Sequence, residues 1–154
     1  MHLAQVNLGR VRAPLDHESM QTFVARLEEI NALADNAPGF VWRLKSEEDG
    51  PSSYLRPFDD ERLLVNMSVW TSVEALKEYV YKTAHAEVLR RRRDWFEQFQ
   101  GAYMAMWWVP EGHLPTVQEA KERLEHLEKH GPTPHAFTFR EAKLWTAAAP
   151  AAAL

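Results

Sequence analysis

The stretch Leu63-Leu64-Val65-Asn66-Met67-Ser68-Val69-Trp70 (LLVNMSVW, residues 63–70) decides the fold. Its β-branched and aromatic residues favour an extended chain, and successive side chains of a strand point to opposite faces. One face then carries Leu63, Val65, Met67 and Val69, and the other Leu64, Asn66, Ser68 and Trp70. The first set is almost wholly apolar. The second mixes an amide, a hydroxyl and an indole, and it is too apolar to be left open to water.

Three further segments read as strands. In HLAQVNLG (2–9), Ala4, Val6 and Leu8 share one side, and Leu3, Gln5 and Asn7 the other. AYMAMWWV (102–109) is apolar on both sides, with Met104, Met106 and Trp108 together, and Pro110 stops it. FVWRLK (40–45) is the last. Between them lie helical patterns. Residues 13–40 place Met20, Phe23, Val24, Leu27, Ile30 and Ala34 at helical spacing, with Asp16 as the expected cap and Pro38-Gly39 in the exit. Ser72 caps a long segment from Val73 to Gly101, in which a break is expected near Tyr81–Thr83. Thr116 and Glu119 form a capping box for Val117–His130, which Gly131-Pro132 ends. Residues 47–61 form a polar loop, in which Arg56-Pro57-Phe58-Asp59-Asp60 could act as a lid, and HAFTF (135–139) reads as a short edge strand.

The order β-α-β-β-α-β with one extra helix is the ferredoxin-like, split βαβ plan. This is an α+β fold, with a four-stranded antiparallel sheet and helices on one face. The mixed face then needs a cover. Pairing of two sheets as a homodimer, in a dimeric α/β barrel, would supply one and leave a cavity with a few polar groups. Residues 1–145 are expected to form a single domain, and 146–154 a flexible Ala/Pro tail.

Composition narrows the function classes. The 154 residues suit one domain. The absence of cysteine removes thiolate nucleophiles, thiolate metal sites and disulfides. A net charge of −4 argues against a nucleic-acid partner. No apolar run approaches the roughly 18 residues of a membrane span, and the N-terminus has no signal-peptide plan, so a cytoplasmic protein without a membrane partner is expected.

The stretch YKTAHAEVLRRRRDWF (81–96) holds the candidate chemistry. On a helix, Tyr81, His85, Val88, Leu89, Arg92 and Phe96 share a face. His85 then lies on an apolar stripe, as a core residue, a general base or a ligand. The four arginines sweep round the helix. Glu87, Asp94 and Glu97 stand four residues from Arg91, Arg90 and Arg93, which leaves Arg92 near the side of His85. Glu122, His126 and His130 also recur at four-residue spacing, but they fall opposite the apolar stripe Val117, Ala120, Leu124 and Leu127. They read as a solvated face, and no metal is expected.

The segments NLGRVRAPLD, LADNAPGFVWRL, RPFDD…LVNMSVW and HGPTPHAFTF are similar to an uncharacterised family, domain of unknown function 3291. The whole arrangement resembles the dimeric α/β-barrel superfamily, which includes the antibiotic-biosynthesis monooxygenases. Two kinds of relative suggest roles. In the actinorhodin-type quinone-forming monooxygenases, an asparagine and a tryptophan lie four apart on strand three beside an arginine. The resemblance places Asn66 and Trp70 in the first two roles, and the run Arg90–Arg93 could supply the third. In the haem-degrading monooxygenases, an asparagine on strand one and an axial histidine on the second helix correspond to Asn7 and His85, while Tyr79 stands where they have a tryptophan.

The expected function is therefore a cofactor-independent monooxygenase acting on an aromatic or polyketide-like phenol. His85, Asn66 and Asn7 are the catalytic candidates, and Trp70, Tyr79, Arg92 and Trp108 the substrate-binding ones. Two alternatives stay open. One is a small-ligand-binding or structural dimer without chemistry. The other is a haem-binding or haem-degrading protein with His85 as axial ligand. No cofactor is expected on the first reading.

Overall fold

The structure is a computed structural model, and it describes residues 1–45, 62–83, 85–98 and 101–145. The Arg56–Asp60 stretch and the Ala/Pro tail lie outside those residues. Four strands, β1 (His2–Arg10), β2 (Phe40–Arg43), β3 (Leu63–Trp70) and β4 (Met104–Val109), form one antiparallel sheet in the order β2-β3-β1-β4. The helices are α1 (Gln21–Asp35), α2 (Val73–Lys82), α3 (His85–Arg90), α4 (Arg92–Trp95) and α5 (Val117–His130). Strand order and connectivity are those of the ferredoxin-like plan.

The alternation read from the sequence holds along β3 and β1. Leu63, Val65, Met67 and Val69 join Ala4, Val6 and Leu8 in one buried cluster, together with Ala120, Leu124 and Leu127 of α5. Leu3 and Trp70 join a second cluster with Ile30 and Ala34 of α1 and Leu76 and Tyr79 of α2. Helices therefore cover both faces, where the sequence reading placed them on one. The mixed face lies under α1 and α2, so the cover expected from a second sheet is supplied within the chain.

Local chemistry explains the element ends, with some differences from expectation. Asp16 does not cap α1. A short 3-10 turn over Glu18–Met20 precedes that helix, and His17 Nδ1 accepts from the Ser19 N–H at 3.1 Å. Gly39 makes the exit with φ +83°, and a Cβ there would meet Ala75 Cβ at 2.5 Å. The long second helical segment breaks at Thr83, whose backbone is extended. Its hydroxyl donates to the Tyr79 carbonyl and accepts from the His85 N–H. A further interruption at Arg91 separates α3 from α4.

Half of the expected capping box forms at α5. Thr116 Oγ1 accepts from the Glu119 N–H at 3.0 Å, but the Glu119 carboxylate accepts from Trp107 Nε1 at 2.8 Å instead of reaching back. The HAFTF segment contributes isolated bridges in place of a strand, with Phe137 pairing to Met106 and Ala136 to Thr133. Among the described residues, no helix is long and apolar enough to cross a membrane.

Candidate functional site

Register turns the mixed sheet face into a grid. Asn7 stands opposite Asn66, Gln5 opposite Ser68, and Leu3 opposite Trp70. On the other side of β1, Met104, Met106 and Trp108 stand opposite the same three residues. Above this grid is a cavity of about 270 Å³, closed by α1, α2 and α3. Asn7, Asn66 and Trp70 line it from the sheet, and Tyr79, His85 and Arg92 from the helical side.

The amides form one connected network. Gln5 Nε2 donates to Asn66 Oδ1 at 3.0 Å and to Ser68 Oγ at 2.7 Å. Asn7 Nδ2 donates to Gln5 Oε1 at 3.3 Å and to Asn66 Oδ1 at 3.4 Å. Trp70 Nε1 donates to Ser68 Oγ at 2.8 Å. The Asn66 oxygen thus accepts twice, which leaves its NH₂ group without a protein acceptor among the described residues. Gln5 and Ser68 are the buried polar side chains of this network, at 5% and 7% exposure. The sequence reading placed both on this face but not in the site. Their signal was available, because a buried glutamine beside a serine on the same sheet face needs a shared network.

The aromatic wall runs from the sheet to the histidine. The Trp70 ring lies 5.1 Å from that of Tyr79, and Tyr79 lies 5.1 Å from His85. The Tyr79 hydroxyl donates to the Ile30 carbonyl at 3.0 Å, and burial pushes its pKa well up, so it stays protonated. The His85 Nδ1 is buried and has no hydrogen-bond partner among the described residues. Burial pushes its pKa below 6.5, and contact with the Val80 carbonyl opposes that shift without reversing it. The imidazole is therefore neutral at pH 7 and holds a free lone pair or proton.

Arg92 completes the opposite rim. Its guanidinium donates to the Leu8 carbonyl at 3.3 Å and sits 5.1 Å from the Tyr103 ring and 5.2 Å from Phe96. Phe96 packs so closely on β1 that a Cβ on Gly9 would meet its ring at 2.6 Å. The partners expected for the neighbouring arginines are different. Asp94 pairs with Arg91 at 3.0 Å, and Glu87 pairs with Arg26 of α1 at 2.7 Å.

Trp108 does not line this cavity. It sits in the far row of the grid beside Leu3, and its Nε1 donates to the Trp145 carbonyl at 2.8 Å. Its indole N–H is thereby engaged by the C-terminal segment, while the other six candidates line the cavity. The haem alternative would use the same His85, which lines this cavity. Chemically, the arrangement offers a neutral base, amide donors and a stacking surface around one small planar molecule.

Comparison with known proteins agrees on the fold. A conserved protein from Methanosarcina mazei Go1 is 11% identical, with a TM-score of 0.51 over 71% of this chain and 94% of that one. SnoaB, a cofactor-independent oxygenase from Streptomyces nogalater, is 20% identical, with a TM-score of 0.49 over 75% of this chain and 98% of that one. No curated protein matches. The family described as Domain of unknown function (DUF3291) matches residues 2–151, and this chain belongs to it.

Proposed function

We propose that the cavity binds a small aromatic or polyketide-like phenol and oxygenates it without a cofactor. The observation that carries this reading is the unpartnered, buried Nδ1 of His85 beside the Tyr79–Trp70 wall. A neutral imidazole there takes the phenol proton. The free NH₂ group of Asn66 donates to the phenolate oxygen, with Asn7 and Gln5 fixing the orientation of Asn66. The Arg92 charge favours the anion, and Trp70 and Tyr79 hold the ring plane. The electron-rich phenolate then supplies electrons to dioxygen. One oxygen atom enters the ring to give a quinone, and the other leaves as water with two hydrogens from the substrate.

The sequence argument for a homodimer rested on an uncovered sheet face, and both faces are covered within the chain. The dimer stays part of the proposal through the family's resemblance to dimeric α/β barrels.

Oxygen uptake with a panel of naphthol- and anthrol-type phenols tests the chemistry. His85→Ala and Asn66→Ala should each lower turnover by ~100-fold or more. Turnover unchanged in both variants would remove this mechanism. Phenol binding without oxygen uptake in the unmodified protein would favour the ligand-binding reading instead.

A further inference from the structure

Outside the cavity, the turn after α5 brings a third metal-binding side chain to a pair already present on the helix. We propose that Glu122, His126 and His135 form a binding site for a divalent transition-metal ion of the zinc class. This inference stands apart from the oxygenase reading and shares no residue with it.

The sequence grouped Glu122 and His126 with His130 at four-residue spacing, whereas the fold gathers a different third ligand. The fold supplies His135. One ligand atom from each of the three residues lies within 4.8 Å of the others. A carboxylate and two imidazoles, each about 2.1 Å from an ion in tetrahedral angles, stand about 3.4 Å apart. Rotation of partly exposed side chains by about an ångström closes that difference.

The surroundings hold the set together. The rings of His126 and His135 are 4.6 Å apart, and His135 Nε2 already lies 2.9 and 3.0 Å from the two Glu122 oxygens. A hydrogen bond now occupies the place where an ion would bridge them. His126 Nε2 shares a hydrogen bond with Thr133 Oγ1 at 2.9 Å, and that same oxygen accepts from the His135 N–H at 3.1 Å. The turn is itself anchored. Gly131 leaves the helix at φ +74°, and Ala136 and Phe137 are fully buried, with Phe137 paired to Met106 of β4. A bound ion would therefore tie α5 to the segment whose Phe139 lines the cavity.

Arg123 sets the limit on affinity. Its Nη1 lies 3.0 Å from His135 Nδ1 and donates to the His135 carbonyl at 2.8 Å. A metal on Nε2 moves the ring proton to Nδ1, so the guanidinium must give up the ring and keep the carbonyl. Two imidazoles and one carboxylate favour zinc, cobalt or nickel over magnesium or calcium, which prefer all-oxygen sites.

The test uses the full chain, stripped of metal by a chelator and titrated with zinc chloride by calorimetry. Cobalt absorption is followed in parallel. The expected result is one ion per chain, with at least tenfold weaker binding in each of Glu122→Gln, His126→Ala and His135→Ala, and no change in His17→Ala. At zinc a hundredfold above its Kd, the thermal midpoint should rise by roughly 5–10 °C, and Glu122→Gln should abolish the rise. Glu122 is exposed, so its variant decides the matter even where a histidine variant fails to fold. The absence of saturable binding, or affinity retained in Glu122→Gln, overturns the proposal.

Discussion

Ser68 is the most informative position for testing the network beneath the cavity. One hydroxyl oxygen accepts from two donors, Gln5 Nε2 at 2.7 Å and Trp70 Nε1 at 2.8 Å. Ser68→Ala removes both acceptor positions and leaves the alanine methyl in their place. The Trp70 side chain is 1% exposed, so its N–H has no water to turn to, which costs about 1–3 kcal/mol. Gln5 keeps its bond to Asn66, so its loss is the smaller net value of about 0.5–1.5 kcal/mol. The sum centres on about 3 kcal/mol. With a slope of about 2 kcal/mol per molar urea for a chain of this size, the unfolding midpoint should fall by about 1.5 M at unchanged slope. The double variant Ser68→Ala with Trp70→Phe removes the stranded N–H as well. It should therefore be less destabilised than the two single variants combined, by about 1–2 kcal/mol. A loss below about 0.5 kcal/mol in Ser68→Ala, or strict additivity in the cycle, would refute the reasoning, because the indole N–H would then have another acceptor.

Two further outcomes follow from the geometry. Burial lowers the folded-state pKa of His85 below its unfolded value of 6.5, so between those two values the unfolded chain binds the extra proton. Stability should hold above pH 6.5 and fall as pH drops through that window. Urea unfolding at pH 5 to 8 should show a shallower loss in His85→Gln, and an identical slope in both proteins would refute the assignment. The oxygenase rate should share this acid limb, with a plateau above pH 6.5. For the homodimer, light scattering on the purified chain should report about twice its 17.8 kDa mass, and the mass of a single chain would reject it.

How much of this was legible in the sequence depends on the kind of physics involved. The two faces of β3 followed from strand alternation alone, because the pleat fixes it. Register did not follow, so nothing in the sequence set Asn7 opposite Asn66 or Gln5 opposite Ser68. Trp108 shows the consequence. It has the correct face, but its corner of the grid, at the β4 end of the row that Leu3 shares with Trp70, lies outside the cavity, and its indole N–H is engaged by the Trp145 carbonyl. The stripe from Tyr81 to Phe96 was drawn with helical spacing; the break expected near Tyr81–Thr83 falls at Thr83, and a second one at Arg91 was not expected. All six stripe residues still line the cavity, though Tyr81 and Leu89 are also exposed, because an amphipathic pattern reports which side turns toward the sheet more than how regular the backbone is. Glu87 pairing with Arg26 lay beyond sequence reading, since that contact spans 61 residues and depends on how α1 packs against α3.

The two faces of the sheet also bear on function. On the α5 side, the strand residues are all apolar side chains or an indole, from Ala4 and Val6 to Trp107, with zero exposure at each of those three. A face that had only to pack under α1 and α2 would be served as well by the same residue types. Instead it carries a glutamine and a serine at core-level burial, tied to two asparagines and an indole N–H. Satisfied networks of this kind contribute little net stability, and a half-satisfied one is worse than an apolar core. Packing therefore does not account for them. The proposed function does: with its oxygen held by Gln5 and Asn7, Asn66 is left with donors to offer, in the same cavity as a histidine whose Nδ1 has no partner among the described residues. The helix break at Thr83 fits that arrangement. It starts α3 at His85, fixes the His85 N–H to the Thr83 hydroxyl, and sets the imidazole against Tyr79.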